Sequence, residues 1–194
     1  MKRACVKHSW GLLFLALLLV AERCYAQKPD SAYLRSLVPR QSPMAVAKVN
    51  IGDAYIKVVY SRPFKRGRLI FGTKEENALV PYGEVWRLGA NEATEITLTK
   101  DILIAGKPLK AGTYSMFAIP NKDQFTILIN SELGLWGHFR MDEKKEVMRF
   151  DVPTGETEGE FEAFTIFFKK PEGNSTEMML VWDRTKVVIP IKVG

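Results

Sequence analysis

The residues best suited to binding or catalysis in this sequence are crowded into one segment, 60–94. The segment combines four arginines with a tryptophan, an asparagine and a glutamate: Arg62, Arg66, Arg68, Trp86, Arg87, Asn91 and Glu92. Guanidinium groups offer paired N–H donors that match a carboxylate, a phosphate or a sulfate. An indole ring stacks on a sugar face, and amide and carboxylate groups add directional hydrogen bonds. The cluster predicts a site for a small polar or acidic ligand, such as a glycan fragment, formed by Arg62, Arg68, Trp86, Arg87, Asn91 and Glu92.

The same residues also have a purely structural interpretation. The glycines of the segment would then serve only its turns, and Trp86 would be an apolar anchor of the core. Arg62 and Arg87 would form fixed ion pairs. Their candidate partners are three carboxylates: Glu84, Glu92 and Asp53. This interpretation makes the protein an envelope structural or protein-interaction module without a ligand, and it predicts a closed arginine cluster with no cavity.

Paired carboxylates supply the third hypothesis, a glycoside-processing enzyme. Glu84 and Glu92 would have to face each other about 5–10 Å apart across a groove. The chain is shorter than the roughly 250 residues of a barrel glycosidase. Ser-His-Asp elbows, HExxH motifs and phosphate-binding glycine loops are missing from the sequence. No residue is therefore assigned a catalytic role, and no cofactor is expected.

Short β-strands must hold this cluster in place. From Val46 onward apolar residues alternate with polar ones, and β-branched and aromatic side chains dominate. The predicted strands are 54–60, 95–99, 102–106, 113–119, 124–130, 147–152, 161–169, 177–182 and 186–192. The predicted turns are 105–108, 120–123, 172–174 and 183–185. This spacing predicts an all-β fold, an antiparallel β-sandwich of jelly-roll or immunoglobulin-like type.

Helices are expected to be few and short, at 30–37, 74–79 and 142–146. Segment 60–94 follows neither the helical nor the strand period. About thirty residues without regular structure inside a compact domain usually have a functional reason.

A dense set of motifs gives the chain a family resemblance. The motifs are Ser61-Arg62-Pro63, Gly67-Arg68 with Ile70-Phe71-Gly72, Pro81-Tyr82-Gly83, WRLGANEAT (86–94), Ala111-Gly112-Thr113-Tyr114-Ser115 with Ile119-Pro120, and Trp136-Gly137. Over residues 42–193 they resemble a family of exported bacterial proteins known as domain of unknown function 2911. The resemblance implies an exported, β-rich domain and brings with it no activity, cofactor or ligand.

The first 26 residues have the features of a secretory signal peptide. Lys2, Arg3 and Lys7 precede an apolar run at 11–21, and Cys24-Tyr25-Ala26 carries small residues where a signal peptidase reads them. The run is about half of the roughly 20 residues that a membrane-spanning helix needs. We expect cleavage near Ala26 and a periplasmic or secreted protein without a transmembrane segment. Acylation at Cys24 is the alternative, which the charged residues before it disfavour.

Cleavage would change the composition of the chain. It removes both cysteines, one of the two histidines and a net charge of +3, so the formal charge falls from +6 to +3 over the remaining 168 residues. A domain that retains only His138 and no cysteine is not expected to bind a metal, and its mild charge does not favour nucleic acid. The predicted organisation is a signal peptide at 1–26, an N-terminal arm at 27–44 and one β-sandwich domain at 45–194.

Overall fold

The structure, a computed structural model, describes residues 38–194. Within them, residues 41–194 form one compact unit. The predicted signal peptide, the predicted helix at 30–37 and most of the predicted arm lie outside the described residues. Residues 38–194 contain no helix with the length and hydropathy that a bilayer crossing requires.

Eleven strands make up the described part of the chain. They are β1 (Met44–Ile51), β2 (Ala54–Ser61), β3 (Phe71–Gly72), β4 (Val80–Pro81), β5 (Thr94–Leu98), β6 (Ile102–Ile104), β7 (Lys107–Leu109), β8 (Gly112–Pro120), β9 (Gln124–Asn130), β10 (Glu146–Phe168) and β11 (Ser175–Val193). Nine of them are linked by antiparallel pairing in the order β1-β2-β5-β8-β9-β10-β11-β6-β7, while β3 and β4 form a small parallel pair. The predicted all-β antiparallel sandwich is confirmed.

The long strand β10 belongs to both layers of the sandwich. Residues 146–153 pair with β9, whereas residues 154–168 pair with β11. The register shifts between Glu156 and Phe161 and again before Thr165, and such irregularities bend a strand and increase its twist. Beyond the end of β2, Phe64 forms a bridge to Ala163 of β10, so the segment that follows β2 lies against the second half of that strand.

Four of the predicted strands are parts of two longer ones. The runs 147–152 and 161–169 both lie in β10, and 177–182 and 186–192 both lie in β11. The predicted turn at 183–185 is therefore wrong. Asp183 has a left-handed φ of 53° and lies opposite Phe161 at the register shift, where Lys65 contacts its carboxylate at 2.8 Å. Asp tolerates this conformation better than most residues, so a turn-like sequence occurs within a continuous strand.

The expected helices are almost absent from the described residues. A single 3-10 turn, Glu143–Lys145, lies within the predicted 142–146. The predicted helix at 74–79 is wrong, because this stretch forms only turns. The Thr73 hydroxyl accepts from the Glu76 N–H at 3.3 Å, the Glu76 carboxylate accepts from the Thr73 N–H at 2.8 Å, and Asn77 follows with φ 56°. A left-handed residue stops a helix after its first turn.

The core lies between the layers and is rich in aromatic rings near the irregular segment. Trp86 and Trp182 stack with centroids 5.8 Å apart, and Phe164 packs against Trp86 at 5.0 Å. Tyr60 of β2 connects to the bent strand β10 through two hydrogen bonds. Its hydroxyl donates to the Ile166 carbonyl and accepts from the Ile166 N–H. The irregular segment is thus held against one end of the core.

Candidate functional site

The irregular segment forms most of one cavity, of about 380 Å³. The cavity is lined by Gln41, Ser42, Pro63, Phe64, Arg66, Arg68, Leu79, Val80, Pro81, Glu84, Val85, Trp86, Arg87, Gly89, Ala90, Asn91, His138 and Trp182. Its volume lies within the range of about 300–1,000 Å³ that small-molecule sites occupy. Four predicted site residues, Arg68, Trp86, Arg87 and Asn91, are brought together here.

Arg87 is the partly buried cation of this cavity. One of its Nη atoms donates to the Asn91 carbonyl at 2.9 Å, and the guanidinium lies 5.4 Å from the centre of the Phe139 ring. Burial lowers the pKa of Arg87, since desolvation disfavours the charged form. Within residues 38–194 no carboxylate lies within ion-pairing distance of this group, so nothing there compensates its desolvation by an opposite charge.

Arg66 and Arg68 bring two further guanidinium groups to the cavity. Arg66 donates to the side-chain and backbone oxygens of Gln41 at 3.2 and 3.3 Å. Arg68 donates to the carbonyls of Lys65 and Phe64 at 3.0 and 2.5 Å. These acceptors are neutral, so the hydrogen bonds position the arginines without cancelling their charge.

Glu84 is the one carboxylate among the lining residues, and it forms an exposed ion pair with Lys74 at 3.0 Å. Asp53, another predicted partner of Arg62 and Arg87, forms an exposed ion pair with Lys100 at 2.9 Å instead. Neither carboxylate therefore pairs with Arg62 or Arg87 among the described residues. With three guanidinium groups and one carboxylate on its walls, the cavity is suited to an anion.

His138 and the loop around it cover one side of Arg87. The His138 Nδ1 atom is buried and has no hydrogen-bond partner among residues 38–194. Burial lowers the pKa of His138, the Arg87 charge lowers it further, and Glu84 opposes both effects. The preceding Gly137 has φ +80°, and a Cβ atom at this position would lie 2.7 Å from Arg87 Cζ. Only glycine lets the loop approach the guanidinium this closely.

Trp86 is a wall of the cavity and a member of the core. Its backbone pairs with Ala118 of β8 in both directions, at 2.7 and 2.9 Å, which continues the sheet beyond β5. Its side chain is 8% exposed, and its Nε1 atom donates to the Gly89 carbonyl at 2.9 Å. Gly89 in turn lies against β2, where a Cβ atom would be 2.9 Å from the Ser61 carbonyl oxygen. The ring is thus fixed in place, with little surface open to a ligand.

Asn91 connects the cavity to the start of β1. Its Nδ2 atom donates to the Ser42 carbonyl at 3.1 Å, and its left-handed φ of 59° turns its own carbonyl toward Arg87. Asn is among the residues that adopt this conformation at low cost. Asn91 thereby positions Arg87 through its backbone, while its side chain holds the chain that enters β1.

Arg62 and Glu92 do not line the cavity. Arg62 faces β10 instead, where Nε donates to the Phe164 carbonyl at 3.2 Å and Nη2 to the Thr165 hydroxyl at 2.8 Å. The paired-carboxylate arrangement needs Glu84 and Glu92 on one groove, and only Glu84 lies on this cavity. Among the described residues no three His, Cys, Asp or Glu side chains gather as a metal site would require.

Several lining residues were not predicted as site residues. Gln41 and Ser42 lie in the part of the chain assigned to the N-terminal arm, and Trp182 and His138 are distant in sequence from segment 60–94. Arg66 belongs to segment 60–94 but is not one of the six predicted site residues. The isolated histidine of the WGHFR sequence, beside the family-like Trp136-Gly137 pair, was the only available signal for His138.

Comparison with known proteins identifies the family. The family model described as Protein of unknown function (DUF2911) matches residues 42–191. The chain belongs to the DUF2911 family. No match to a curated protein or to a solved structure was found. The match spans β1 to β11 and every residue that lines the cavity except Gln41, so this DUF2911 domain contains nearly the whole site.

Proposed function

We propose that this DUF2911 domain is exported and binds a small acidic ligand in its arginine-lined cavity. The signal-like residues 1–26 support export. Separation of cells into cytoplasmic, periplasmic and culture fractions tests this part, and a protein retained uncleaved in the cytoplasm would contradict it. The binding function rests on the cavity itself.

The observation that carries the binding proposal is the partly buried Arg87 guanidinium, with no carboxylate partner in the described residues. A cation removed from water is costly unless an opposite charge compensates it. An anion in the cavity would supply that charge, and Arg66 and Arg68 would add to the attraction. Because the site is already formed by backbone contacts, little of the binding energy is lost in ordering it.

A matched pair of charge-removing variants tests the binding function. Titration calorimetry of small carboxylates and phosphates is compared for wild type, Arg87→Gln and Arg184→Gln; Arg184 is exposed on β11 and does not line the cavity. We expect Arg87→Gln to weaken binding by about 10- to 100-fold, as loss of a hydrogen bond to a charged group does. Arg184→Gln should change the affinity less than about twofold. The proposal fails if no anion binds, or if both variants lose affinity equally.

A second candidate function, a protein-interaction module, is favoured by one specific feature. Trp136 is 63% exposed and Phe139 is 74% exposed, in the loop that covers Arg87. Exposed aromatic side chains are enriched where proteins meet partners. Affinity capture from envelope extracts should recover a partner with wild type and Arg87→Gln but not with Trp136→Ser or Phe139→Ser. Equal recovery with all four proteins would remove this candidate.

A further inference from the structure

Several neutral polar groups around the cavity are engaged already, although His138 Nδ1 has no hydrogen-bond partner among residues 38–194. Gln41 Oε1 accepts from Arg66 at 3.2 Å, and Asn91 Nδ2 donates to Ser42 at 3.1 Å. The indole N–H groups of Trp86 and Trp182 donate to backbone carbonyls at 2.9 and 3.3 Å. A ligand covered with hydroxyl groups needs many free partners, and a buried hydroxyl without one is destabilised by desolvation. Each polar group that is already engaged makes these walls less suited to such a ligand.

The tryptophan rings are also unsuited to stacking on a sugar. Trp86 is 8% exposed and Trp182 is 1% exposed, and the two rings stack on each other at an interplanar angle of 22°. Stacking on a sugar uses an open aromatic face. Each ring instead has its neighbours within the core, and only a small apolar part of its surface reaches the cavity.

Apolar side chains supply much of the remaining wall. Leu79, Val80, Pro81 and Val85 all line the cavity, and Leu79 is 39% exposed. An exposed leucine on a concave wall gains when an apolar group covers it. Arg87, by contrast, uses only one of the five N–H donors of a guanidinium within residues 38–194, in the hydrogen bond to the Asn91 carbonyl. The cavity therefore combines strong charged donors with apolar contact surface.

From this combination we infer that the ligand is an amphipathic anion, a carboxylate or phosphate group attached to an apolar body, rather than a hydroxyl-rich glycan acid. The anionic group pairs with Arg87, and the apolar body covers Leu79 and its neighbours. This inference rests on the proposed anion-binding function and adds the chemical class of the ligand. The carboxylate and phosphate forms share the same chemistry and are separated by the experiment.

The experiment compares ligands that share a head group but differ in body. Dissociation constants are measured by NMR titration of the full chain with acetate, hexanoate, glucuronate, inorganic phosphate, phenyl phosphate and hexanol. Each methylene that becomes buried contributes about fourfold in affinity. We expect hexanoate or phenyl phosphate, or both, to bind at least about tenfold more tightly than acetate or phosphate, and more tightly than glucuronate and hexanol. The comparison of acetate with inorganic phosphate, which both lack a large apolar body, identifies the preferred head group.

Two leucines with equal exposure provide the variant test. Leu79 lines the cavity, whereas Leu103 of β6 does not, and both are 39% exposed. Leu79→Ala should reduce the advantage of hexanoate over acetate by at least about threefold, while Leu103→Ala should leave that advantage unchanged. Anions that bind equally well with and without an apolar body would overturn the inference but leave the binding function standing. If no anion binds at all, both fail together.

Discussion

The close approach of Gly137 to Arg87 leads to a specific prediction about position 137. An alanine there would place its Cβ atom 2.7 Å from Arg87 Cζ and 2.9 Å from both Nη atoms, whereas ordinary contact begins at 3.4 Å. The guanidinium would have to move by at least about 0.7 Å, the difference between 3.4 and 2.7 Å. Such a shift removes it from the 2.9 Å hydrogen bond to the Asn91 carbonyl. Gly137→Ala should therefore displace the guanidinium that we propose pairs with the anion.

The expected effect of Gly137→Ala has two separable parts, a loss of folding stability and a loss of anion affinity. An alanine in the left-handed region is destabilised by roughly 1–2 kcal/mol relative to glycine. Gly134, in the same loop, has φ +70° and nothing within 4 Å of its would-be Cβ, so Gly134→Ala isolates the backbone effect. We expect both variants to lose about this much stability. Only Gly137→Ala should also lose anion affinity, by about tenfold or more, because a displaced donor no longer meets the ligand.

Urea unfolding and two readouts of the site measure these effects. Titration calorimetry with phenyl phosphate and hexanoate gives the affinity. The pKa of His138, followed by NMR, reports Arg87 without any ligand, since the Arg87 charge helps to lower it. The pKa of His138 should change in Gly137→Ala and stay at the wild-type value in Gly134→Ala. The reasoning is refuted if the two variants behave alike in both readouts, or if Gly137→Ala keeps wild-type affinity and the wild-type His138 pKa.

Two further predictions concern Arg62 and His138. Arg62→Ala removes the hydrogen bonds to Phe164 and Thr165 of β10, so chemical denaturation should show a loss of about 1–3 kcal/mol with unchanged anion affinity. The folded-state pKa of His138 lies below its ordinary value of about 6.5, so the neutral form is favoured in the fold. The stability that His138 contributes should be present above about pH 6.5 and be lost as pH falls through its folded-state pKa, which urea unfolding of wild type and His138→Gln at several pH values will measure.

Each of these two predictions has an outcome that contradicts it. A stable Arg62→Ala protein that no longer binds anions would place Arg62 in the site and not in the bracing of β10. Parallel stability curves for wild type and His138→Gln between about pH 8 and 5 would show that His138 titrates alike in the folded and unfolded chains. Weaker acid sensitivity in the wild type than in His138→Gln would reverse the sign of the predicted shift.

The alternation of apolar and polar residues was sufficient to predict most strands. In β2, for example, Ile56 and Val58 are fully buried in the core while Lys57 between them is half-buried, as the sequence pattern requires. The pattern failed at 183–185, because a turn-like tripeptide and a bulged strand have the same local composition. Only the pairing of Asp183 with Phe161 and the contact with Lys65 select the strand.

The candidate site was predicted less completely than the fold. Crowding of arginines singled out segment 60–94, and Arg68, Trp86, Arg87 and Asn91 do meet at one cavity. The direction of each side chain in segment 60–94 could not be predicted, because an irregular segment lacks the helical or strand period that shows which residues share a face. Arg62 continues β2 and points to β10, so it is separated from Arg68 despite being close in sequence.

The sequence by itself determined the all-β class, the approximate strands and the concentration of arginines in segment 60–94, because these depend on residue type and local periodicity. Tertiary structure alone decided which groups share the cavity and which of the described residues pair with an opposite charge. Gln41, Arg87, His138 and Trp182 are far apart along the chain and meet only when the bent strand β10 and the loop after β9 close around segment 60–94. Long-range pairing and packing, which no local pattern encodes, therefore partly buried the Arg87 guanidinium with no carboxylate partner among residues 38–194.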